Sequence, residues 1–400
     1  MMYFIINVIG ILTVLGLSFL LSFNKKQIAI KPIIILFVLQ LATTWFMLST
    51  DIGGKVITLI ADFFLWLISS GMSGVNFIFG DFAPLDGSTF TFFMNVLMPI
   101  IFIVVFFDIL TYFGILPALI NGIGWLFSKI AKTNRFESFY AIQVMFLGNN
   151  EALAVTRNQL NKMSDKRLLT IAMISMSCVS AGMIGGYLQV LGPKYVLTAI
   201  PLNAIGALII TSLINPYKVT KEEDIVDSPP KSEKDNFFNM VSNSMLTGGK
   251  LAIIIAVMLI GFVSLITALN TFLGLIHHQL SLENIFGIIF SPISFLMGVE
   301  VSQVFAVGQL MGVKIVTNEF VAMQSLSEII STLNPHTEAV ISTFLVSFCN
   351  FTTIGIILGS MQALFGEGKS KFIAKYTGLL LVSGILVSSL TAMVVGLFVW

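Results

Sequence analysis

Two short stretches place carboxylate and amide side chains inside apolar segments. They are FLGNNEALAVTRNQL and MGVKIVTNEFVAM, and their polar residues are Asn149, Asn150, Glu151, Asn318 and Glu319. A charged carboxylate at bilayer depth costs roughly 2.5–3.5 kcal/mol even on lenient insertion scales, so each one needs a compensating role. Carboxylates accept hydrogen bonds, and amides both accept and donate them. The two stretches therefore indicate a binding site for a hydroxyl-rich solute within the membrane.

The composition places the chain in a membrane. Of its 400 residues, 56% are hydrophobic and 10% are charged, whereas about a quarter of the residues in a soluble domain are charged. A net charge of +1 gives no electrostatic case for nucleic-acid binding. Cys178 and Cys349 lie in apolar segments without a CxxC motif or a nearby histidine cluster. We therefore expect them to be small core residues, and we expect no cofactor other than a coupling cation.

A spanning helix needs about 20 mostly apolar residues, and eight segments meet that requirement. The predicted spans are residues 3–22, 32–50, 95–118, 168–190, 196–214, 248–272, 338–361 and 374–399. Residues 52–80 are amphipathic and include Lys55 and Asp62, so they predict an interfacial helix. Residues 216–240 are strongly polar and predict a solvated linker between two halves of the protein.

The distribution of basic residues predicts the orientation. If the N-terminus is outside and the spans alternate, eighteen of the 21 Lys and Arg residues fall on the inner side. The others are Lys55, Lys194 and Lys314. The positive-inside rule then places both termini outside. This holds only if residues 135–166 and 300–331 each enter and leave the membrane on one side, so each is predicted to form a re-entrant hairpin.

The hairpins begin two similar halves of the chain. Each is followed by a span interrupted by small polar residues, SMSCVSAG in the first half and SFCNFTTIG in the second, and then by a further span. Inverted repeats with broken helices at the membrane midplane are typical of secondary transporters. The predicted fold is an all-α polytopic membrane protein in which Glu151 and Glu319 face each other across a wet cavity. The predicted division is a scaffold over 1–130, a first transport repeat over 131–214, a linker with a scaffold span over 215–280, and a second transport repeat over 281–400.

Three motifs resemble those of the concentrative nucleoside transporters. GNNEALAV resembles that family's G-Q-[ST]-E signature, and MGVKIVTNEFVAM is similar to its G-x-K-x-x-x-N-E-F-V-A block. FLVSFCNFTTIGI resembles its F-x-N-F-[SG]-[ST]-I-G segment, and the resemblance runs from about residue 95 to the end. It implies import of nucleosides driven by a sodium or proton gradient across a bacterial plasma (inner) membrane. It also implies a homotrimer of eight-span protomers and an elevator-like shift of a transport domain against a trimer scaffold.

The resemblance assigns roles to eight residues, which are Asn149, Asn150, Glu151, Asn318, Glu319, Phe348, Asn350 and Thr353. The first three would face the nucleobase, with Glu151 also reaching the ribose. Phe348 would pack against the ligand, and the other four would hold the ribose hydroxyls. Asn350 and Thr353 have an alternative role as interhelical packing contacts, and Phe348 is equally well explained as a core residue.

Two departures from the family's motifs bear on selectivity. The usual Gln-Ser or Gln-Thr pair is Asn149-Asn150 here, one methylene shorter, so the contact to the base is moved or bridged by water. In the family, sodium is held by main-chain carbonyls, which correspond to those near Val144 and Leu147, and by a hydroxyl. The hydroxyl position falls on Cys178, and thiols are poor ligands for hard cations. This favours proton coupling through Glu151 or Glu319, although the neighbouring Ser177 would restore a sodium site.

Several other polar residues have simpler explanations. Asp108 is expected to partner a neighbouring helix rather than relay a proton, and Lys314 is expected to support the structure. Glu137 is expected to be solvated near the cytoplasmic surface. The three histidines, His277, His278 and His336, are expected in loops and have no case as proton carriers.

Three other functional classes fit the sequence less well. A channel would carry rings of like residues along continuous spans, and an intramembrane enzyme would need a set such as HExxH or GxSxG, which the sequence lacks. A membrane sensor that binds a nucleoside without transporting it stays an alternative.

Overall fold

The computed structural model describes residues 2–84, 91–220, 223–224, 236–278 and 280–400. These residues form helices and connecting segments, with no β-strand among them. The all-α fold class is therefore confirmed.

The first half of the chain contains eleven α-helices within the described residues. They are α1 (Met2–Leu20), α2 (Ile30–Ser49), α3 (Asp51–Phe79), α4 (Ile100–Tyr112), α5 (Ile115–Ala131), α6 (Arg135–Leu147), α7 (Asn149–Val155), α8 (Arg157–Lys162), α9 (Asp165–Ser175), α10 (Ala181–Leu188) and α11 (Pro193–Ile214). A short π-helical turn, Phe93–Leu97, leads into α4. Helix α3 has one buried face and is long and apolar enough to cross a membrane, so its interfacial placement stays a prediction.

The predicted span 95–118 is wrong at its C-terminal end. Helix α4 ends at Tyr112, and Gly114 follows with a φ of +79°. A left-handed conformation of this kind ends helices and is adopted most readily by glycine. The chain therefore turns, and α5 begins at Ile115 as a separate helix that packs along α6.

The second half contains eight α-helices within the described residues. They are α12 (Phe237–Ile276), α13 (Leu282–Leu296), α14 (Val304–Val316), α15 (Glu319–Ile329), α16 (Pro335–Leu345), α17 (Phe351–Phe365), α18 (Glu367–Ala374) and α19 (Thr377–Gly396). Helix α12 has 40 residues and extends the predicted span 248–272 at both ends. The last residues of the predicted linker, 237–240, are therefore helical; its residues 221–222 and 225–235 lie outside the described part.

Both predicted broken spans are interrupted where the polar runs indicated. The first is divided into α9 and α10 by residues 176–180, and the second into α16 and α17 by residues 346–350. Seven helices in the described part are long and apolar enough to cross a membrane. The half-helices are too short to be among them, so the eight-span count stays a prediction.

The two predicted hairpins each consist of short helices that meet at a turn. Gly148 separates α6 from α7, and residues 317–318 separate α14 from α15. In both halves the helix before the hairpin packs on the hairpin's first helix, α5 on α6 and α13 on α14. The depth of the two turns in a membrane stays a prediction.

Packing divides the helices into a buried centre and an exposed periphery. Most of helix α11 is buried, whereas most of helix α12 is exposed. Helices α1 and α2 pack against α11 and α19, while α4 packs against α12. The N-terminal 130 residues are thus divided between the two regions, and the assignment of fixed and moving bodies stays a prediction.

Candidate functional site

The turn of the first hairpin depends on a glycine. Gly148 has φ +92° and ψ 172°, a conformation open essentially only to glycine. A Cβ at this position would lie 3.1 Å from the Cβ of Ser180 and 3.3 Å from Oε2 of Glu151. The turn therefore brings the start of α7 against the break between α9 and α10.

Asn149 joins the first hairpin to the first broken span. Its Nδ2 donates a hydrogen bond of 3.0 Å to the carbonyl oxygen of Ser175, the last residue of α9. Carbonyls at a helix C-terminus lack partners within the helix, so this side chain satisfies one of them. The Oδ1 of Asn149 is buried and has no protein partner.

The next two residues of the first hairpin have different surroundings. The Oδ1 of Asn150 accepts a hydrogen bond of 2.6 Å from Ser360 on α17. Glu151 is exposed. The structure therefore brings Asn150 into contact with the second broken span and leaves Glu151 accessible to solvent or ligand.

Glu319 is the centre of the second hairpin's contacts. Its side chain is 4% exposed. Tyr187 on α10 donates to Oε1 at 2.8 Å, and Asn350 donates through Nδ2 to Oε2 at 2.9 Å. A buried carboxylate must be compensated by donors, and here the donors come from both broken spans.

Asparagine side chains cap the two half-helices that begin beside Glu319. Asn318 accepts a hydrogen bond from the backbone N–H of Val321 at 3.1 Å, at the start of α15. Asn350 accepts one from the N–H of Thr353 at 2.8 Å, at the start of α17, and a second from the Thr353 hydroxyl at 3.0 Å. The positive ends of the two helix dipoles therefore lie next to the Glu319 carboxylate.

Lys314 has a structural role, as expected from the sequence. Its side chain is fully buried. The ammonium donates to the carbonyl oxygen of Phe344 at 2.8 Å and to the hydroxyl of Ser347. It also lies 4.5 Å from the centre of the Phe344 ring. A cation is favourable at this position because α16 ends here, with its carbonyls pointing at the break.

These contacts connect the two hairpins with the two broken spans. Each hairpin reaches the broken span of the other repeat, through Asn150 with Ser360 and through Glu319 with Tyr187. Phe348 lies in the second break and is half-buried. The arrangement offers a buried carboxylate, amide groups and hydroxyls to a polar solute.

Three family models match the chain in succession. The Na+ dependent nucleoside transporter N-terminus matches residues 9–82, the nucleoside recognition model called Gate matches 93–194, and the Na+ dependent nucleoside transporter C-terminus matches 195–396. Together they account for nearly the whole chain.

Relatives and solved structures agree with these matches. The chain is 50% identical over 399 residues to the purine nucleoside transport protein NupG of Bacillus subtilis, covering 100% of both chains. It is 29% identical to the nucleoside permease NupC of Helicobacter pylori, covering 98% of this chain and 97% of that one. The structure of CNTnw in an inward-facing substrate-bound state matches with a TM-score of 0.92 and 27% identity, covering 99% and 98% of the two chains.

The chain belongs to the concentrative nucleoside transporter family. The family resemblance predicted from three motifs is confirmed. The protein is accordingly a membrane transporter of nucleosides, with a cation as the coupling solute of its family.

The residues at the transporter's predicted sodium position fit sodium poorly. The carbonyl oxygen of Val144 accepts a hydrogen bond of 2.9 Å from the backbone N–H of Gly148, the residue that follows Leu147. The Ser177 hydroxyl, in the first break, is directed at the carbonyl oxygen of Met173 in α9, 3.5 Å away. Cys178 is a buried free thiol, and Na+ prefers oxygen ligands to sulfur.

Glu137 corrects one expectation about the start of the first hairpin. It is 3% exposed rather than solvated. Arg167 contacts both of its carboxylate oxygens, at 2.7 and 3.1 Å, and the Tyr217 hydroxyl donates to Oε1 at 2.8 Å. Burial and the Glu137 carboxylate raise the pKa of Tyr217 well above its usual value. These contacts fasten the first hairpin to α9 and to the segment after α11.

His336 corrects a second expectation. It is the second residue of α16 rather than a loop residue, and it is 7% exposed. Its ring nitrogens lie 2.8 Å from the carbonyl oxygen of Val399 and 3.1 Å from that of Met297. His277 directly follows α12 and His278 lies in the next turn, as expected.

Sequence reasoning missed three residues of the site. Tyr187, Ser180 and Ser360 contact or adjoin the predicted residues. Ser180 lies within the predicted break SMSCVSAG and Tyr187 follows it in the first repeat, so their place in or beside a polar run was a usable signal. Ser360 is one serine in an apolar helix, and its sequence context gives no comparable signal.

Proposed function

We propose that this transporter imports purine nucleosides across the plasma membrane in symport with protons. The observation that carries the proposal is the buried Glu319 carboxylate, which Tyr187 and Asn350 hold beside the N-termini of two half-helices. The preference for purines is supported by the 50% identical relative, whose name specifies purine nucleosides.

The ribose hydroxyls donate to Glu319 in this proposal. An ionised carboxylate has about four acceptor positions, and Tyr187 and Asn350 use one on each oxygen. The remaining positions suit the two neighbouring hydroxyls of ribose, with Asn318 and Thr353 at its edge. A nucleoside that lacks the 2′ and 3′ hydroxyls would leave buried acceptors of Glu319 unpaired. We therefore expect 2′,3′-dideoxyadenosine to compete poorly with adenosine for transport.

The nucleobase faces the first hairpin in this proposal. The unpartnered Oδ1 of Asn149 can accept from an exocyclic amine or a ring N–H of a purine. Asn150 holds Ser360 beside it, and Glu151 stays available to both base and ribose. An asparagine is one methylene shorter than the family's glutamine, which leaves room for a two-ring base. Phe348 packs against the ligand from the second break.

Protons rather than sodium ions drive import in this proposal. The support is the donor set around Val144, Leu147, Ser177 and Cys178, in which a thiol stands at the position of the family's hydroxyl ligand. A hard cation gains little from such a set. The carboxylates Glu151 and Glu319 are the groups in the site that can take up and release a proton.

Transport proceeds by an elevator-like movement within a homotrimer in this proposal. The support is that the fold matches CNTnw in an inward-facing state and a CNTnw variant in an outward-facing state, with TM-scores of 0.92 and 0.91. The hairpins are re-entrant, three protomers associate through the exposed apolar helices, and both termini lie outside, as the positive-inside rule requires.

Uptake of radiolabelled nucleosides into proteoliposomes tests this function. Adenosine, guanosine and uridine are supplied with a proton gradient or a sodium gradient, while the membrane potential is clamped at zero. The two purine nucleosides are expected to accumulate more than uridine, and only with the proton gradient. Accumulation driven by sodium alone would overturn the proton proposal, and a preference for uridine would overturn the purine proposal.

A pair of matched variants connects the uptake to the site. Glu319→Gln keeps the size of the buried side chain and removes its charge, so it is expected to abolish accumulation. Glu367→Gln changes a carboxylate that is 71% exposed on α18 and is expected to leave accumulation unchanged. Equal uptake by Glu319→Gln and the unmodified transporter would contradict the assigned role of Glu319.

A further inference from the structure

The second hairpin contacts the second broken span on both sides of its break. Before the break, the ammonium of Lys314 donates to the carbonyl oxygen of Phe344 at 2.8 Å and to the hydroxyl of Ser347. After the break begins α17, whose capping residue Asn350 donates to Glu319 at 2.9 Å. Lys314 and Glu319 are five residues apart, so one short segment of the hairpin holds both half-helices.

The end of α16 needs hydrogen-bond donors from other helices. Carbonyl oxygens in the last turn of a helix have no partner within that helix, and here Phe344 and Val346 are fully buried. Lys314 supplies the donor to Phe344, and Asn203 on α11 supplies the donor to Val346. A buried carbonyl without a donor is costly, so the course of the chain through the break depends on these two side chains.

The Ser347 side chain has a single hydrogen-bonding arrangement. Its Oγ lies 2.7 Å from Oγ of Ser388 on α19, and the Ser388 hydroxyl donates to the carbonyl oxygen of Gly384 at 2.9 Å. An ammonium can only donate, so Ser347 accepts from Lys314. The Ser347 hydroxyl is then free to donate to Ser388. The cation therefore fixes the orientation of the first serine in the break.

The first repeat has a break of equal length but no such cation. Residues 176–180 and 346–350 are five residues each, and counting from the ends of α9 and α16 places Ser177 opposite Ser347. The Ser177 hydroxyl makes only a long contact of 3.5 Å, to the carbonyl oxygen of Met173. Within the described part of the chain, no lysine or arginine side chain donates a hydrogen bond to residues 173–180. A built-in ammonium is thus a feature of the second repeat.

The break that Lys314 fixes carries residues of the nucleoside site. Phe348 directly follows Ser347, and two residues further on Asn350 contacts Glu319. A change in the course of the chain at Ser347 therefore changes where Phe348 and Asn350 lie. Lys314 itself is fully buried and acts through the residues that it binds.

We propose that Lys314 is a positioning residue for ribose recognition. Its ammonium fixes the second break so that Asn350 and Glu319 stand at the spacing that the two ribose hydroxyls require. The inference rests on the ribose site proposed above, and it adds the residue that sets the geometry of that site. It predicts that Lys314 controls the discrimination between nucleosides with and without ribose hydroxyls.

The variant Lys314→Met tests the proposal in the purified full-length transporter. Methionine keeps an unbranched buried side chain and removes all three donors of the ammonium. Displacement of radiolabelled adenosine gives the Kd of adenosine and of 2′,3′-dideoxyadenosine, and the ratio of the two is compared with that of the unmodified transporter. The preference for adenosine is expected to fall about tenfold, because the dideoxynucleoside has no hydroxyls to align. A merely structural role would weaken both ligands equally.

Two further variants accompany this measurement. Arg167→Met removes another buried cation, whose partner Glu137 lies at the start of the first hairpin, and is expected to lower the melting temperature while keeping the preference. Ser347→Ala keeps the ammonium of Lys314 and removes the hydroxyl that it binds. It is expected to lower the preference about threefold, and it decides the question if Lys314→Met does not fold.

The outcomes distinguish this proposal from the ribose site on which it rests. An unchanged preference in Lys314→Met, or in Ser347→Ala where the first variant does not fold, would overturn the positioning role and leave the ribose site intact. An equal loss in Arg167→Met would also overturn it, since any buried cation would then have the same effect. An unmodified transporter that binds both ligands equally well would overturn the ribose site itself.

Discussion

Individual hydrogen bonds to Glu319 determine how well the site can hold a charge. Of the two donors to this carboxylate, Tyr187 comes from the first repeat and Asn350 from the second. Hydrogen bonds to charged groups contribute about 1.5–3 kcal/mol each, more than bonds between neutral groups. Each repeat therefore supplies one hydrogen-bond donor to the carboxylate, and a single substitution can remove either donor.

The change Tyr187→Phe removes one of these donors and retains the ring. Adenosine uptake at low concentration is expected to fall about tenfold, because a bond worth about 1.4 kcal/mol or more is lost. Initial rates in proteoliposomes measure this effect. Tyr376→Phe, at a ring that packs on Phe372, is the matched control and is expected to transport normally. Unchanged uptake by Tyr187→Phe would show that the bond to Glu319 is dispensable.

A second prediction concerns the backbone at the first hairpin tip. Gly148→Ala places a Cβ where φ is +92° and where Ser180 is 3.1 Å away. The expected result is loss of uptake and a stability decrease of about 1–3 kcal/mol, measured by thermal unfolding in detergent. Gly122→Ala, with open space around it in α5, should be as stable as the unmodified transporter or more so. Equal stability of the two variants would contradict strain at the tip.

Local motifs identified the polar residues of the site but not the buried polar contacts elsewhere in the fold. Glu319 and Asn350 were predicted because carboxylates and amides in apolar segments must have a reason to be there. Glu137 and Arg167 are 30 residues apart, and a pairing at that distance depends on how the hairpin packs on α9. The same applies to His336, whose partner Val399 is 63 residues away. Such contacts arise from tertiary packing, which sequence periodicity does not encode.

At the scale of helices, the buried ion pair fastens the first hairpin to α9. The paired side chains of Arg167 and Glu137 are 7% and 4% exposed. Arg167→Met leaves the carboxylate buried without its cation, which is expected to cost about 3–5 kcal/mol. Lys371→Met removes a pair whose side chains are about 70% exposed and should change stability by less than about 1 kcal/mol. Similar melting temperatures for the two variants would contradict a fastening role.

Helix boundaries show the same limits of sequence reasoning. The breaks after α9 and α16 were predicted because runs of small polar residues interrupt apolar segments. The end of α4 was missed because Gly114 lies inside an apolar run, and hydropathy alone does not report a left-handed residue. The start of α12 was missed because residues 237–247 are only moderately apolar, and helix formation there continues from the apolar segment that follows.

The whole molecule has a buried group of helices and an exposed periphery, and the repeats seen in the sequence do not separate the two completely. Helices α9, α11, α16 and α19 are mostly buried, and α1 and α2 pack against α11 and α19. Helices α4 and α12 pack on each other at the periphery. In the proposed elevator movement, the contact of α4 with α10 must be broken and reformed in every transport cycle.

A cross-link at that contact is expected to stop transport. In the double variant Val104→Cys/Gly182→Cys, the two new side chains are in contact range, because Cγ2 of Val104 lies 3.7 Å from the Cβ position of Gly182, and such proximity is what a disulfide requires. Oxidation is expected to abolish both accumulation and counterflow, and reduction is expected to restore them. Each single-cysteine variant under oxidation is the control, because Cys178 and Cys349 are buried. Full counterflow by the cross-linked transporter would mean that α4 and α10 move together, so the moving boundary would lie elsewhere, between α4 and α12.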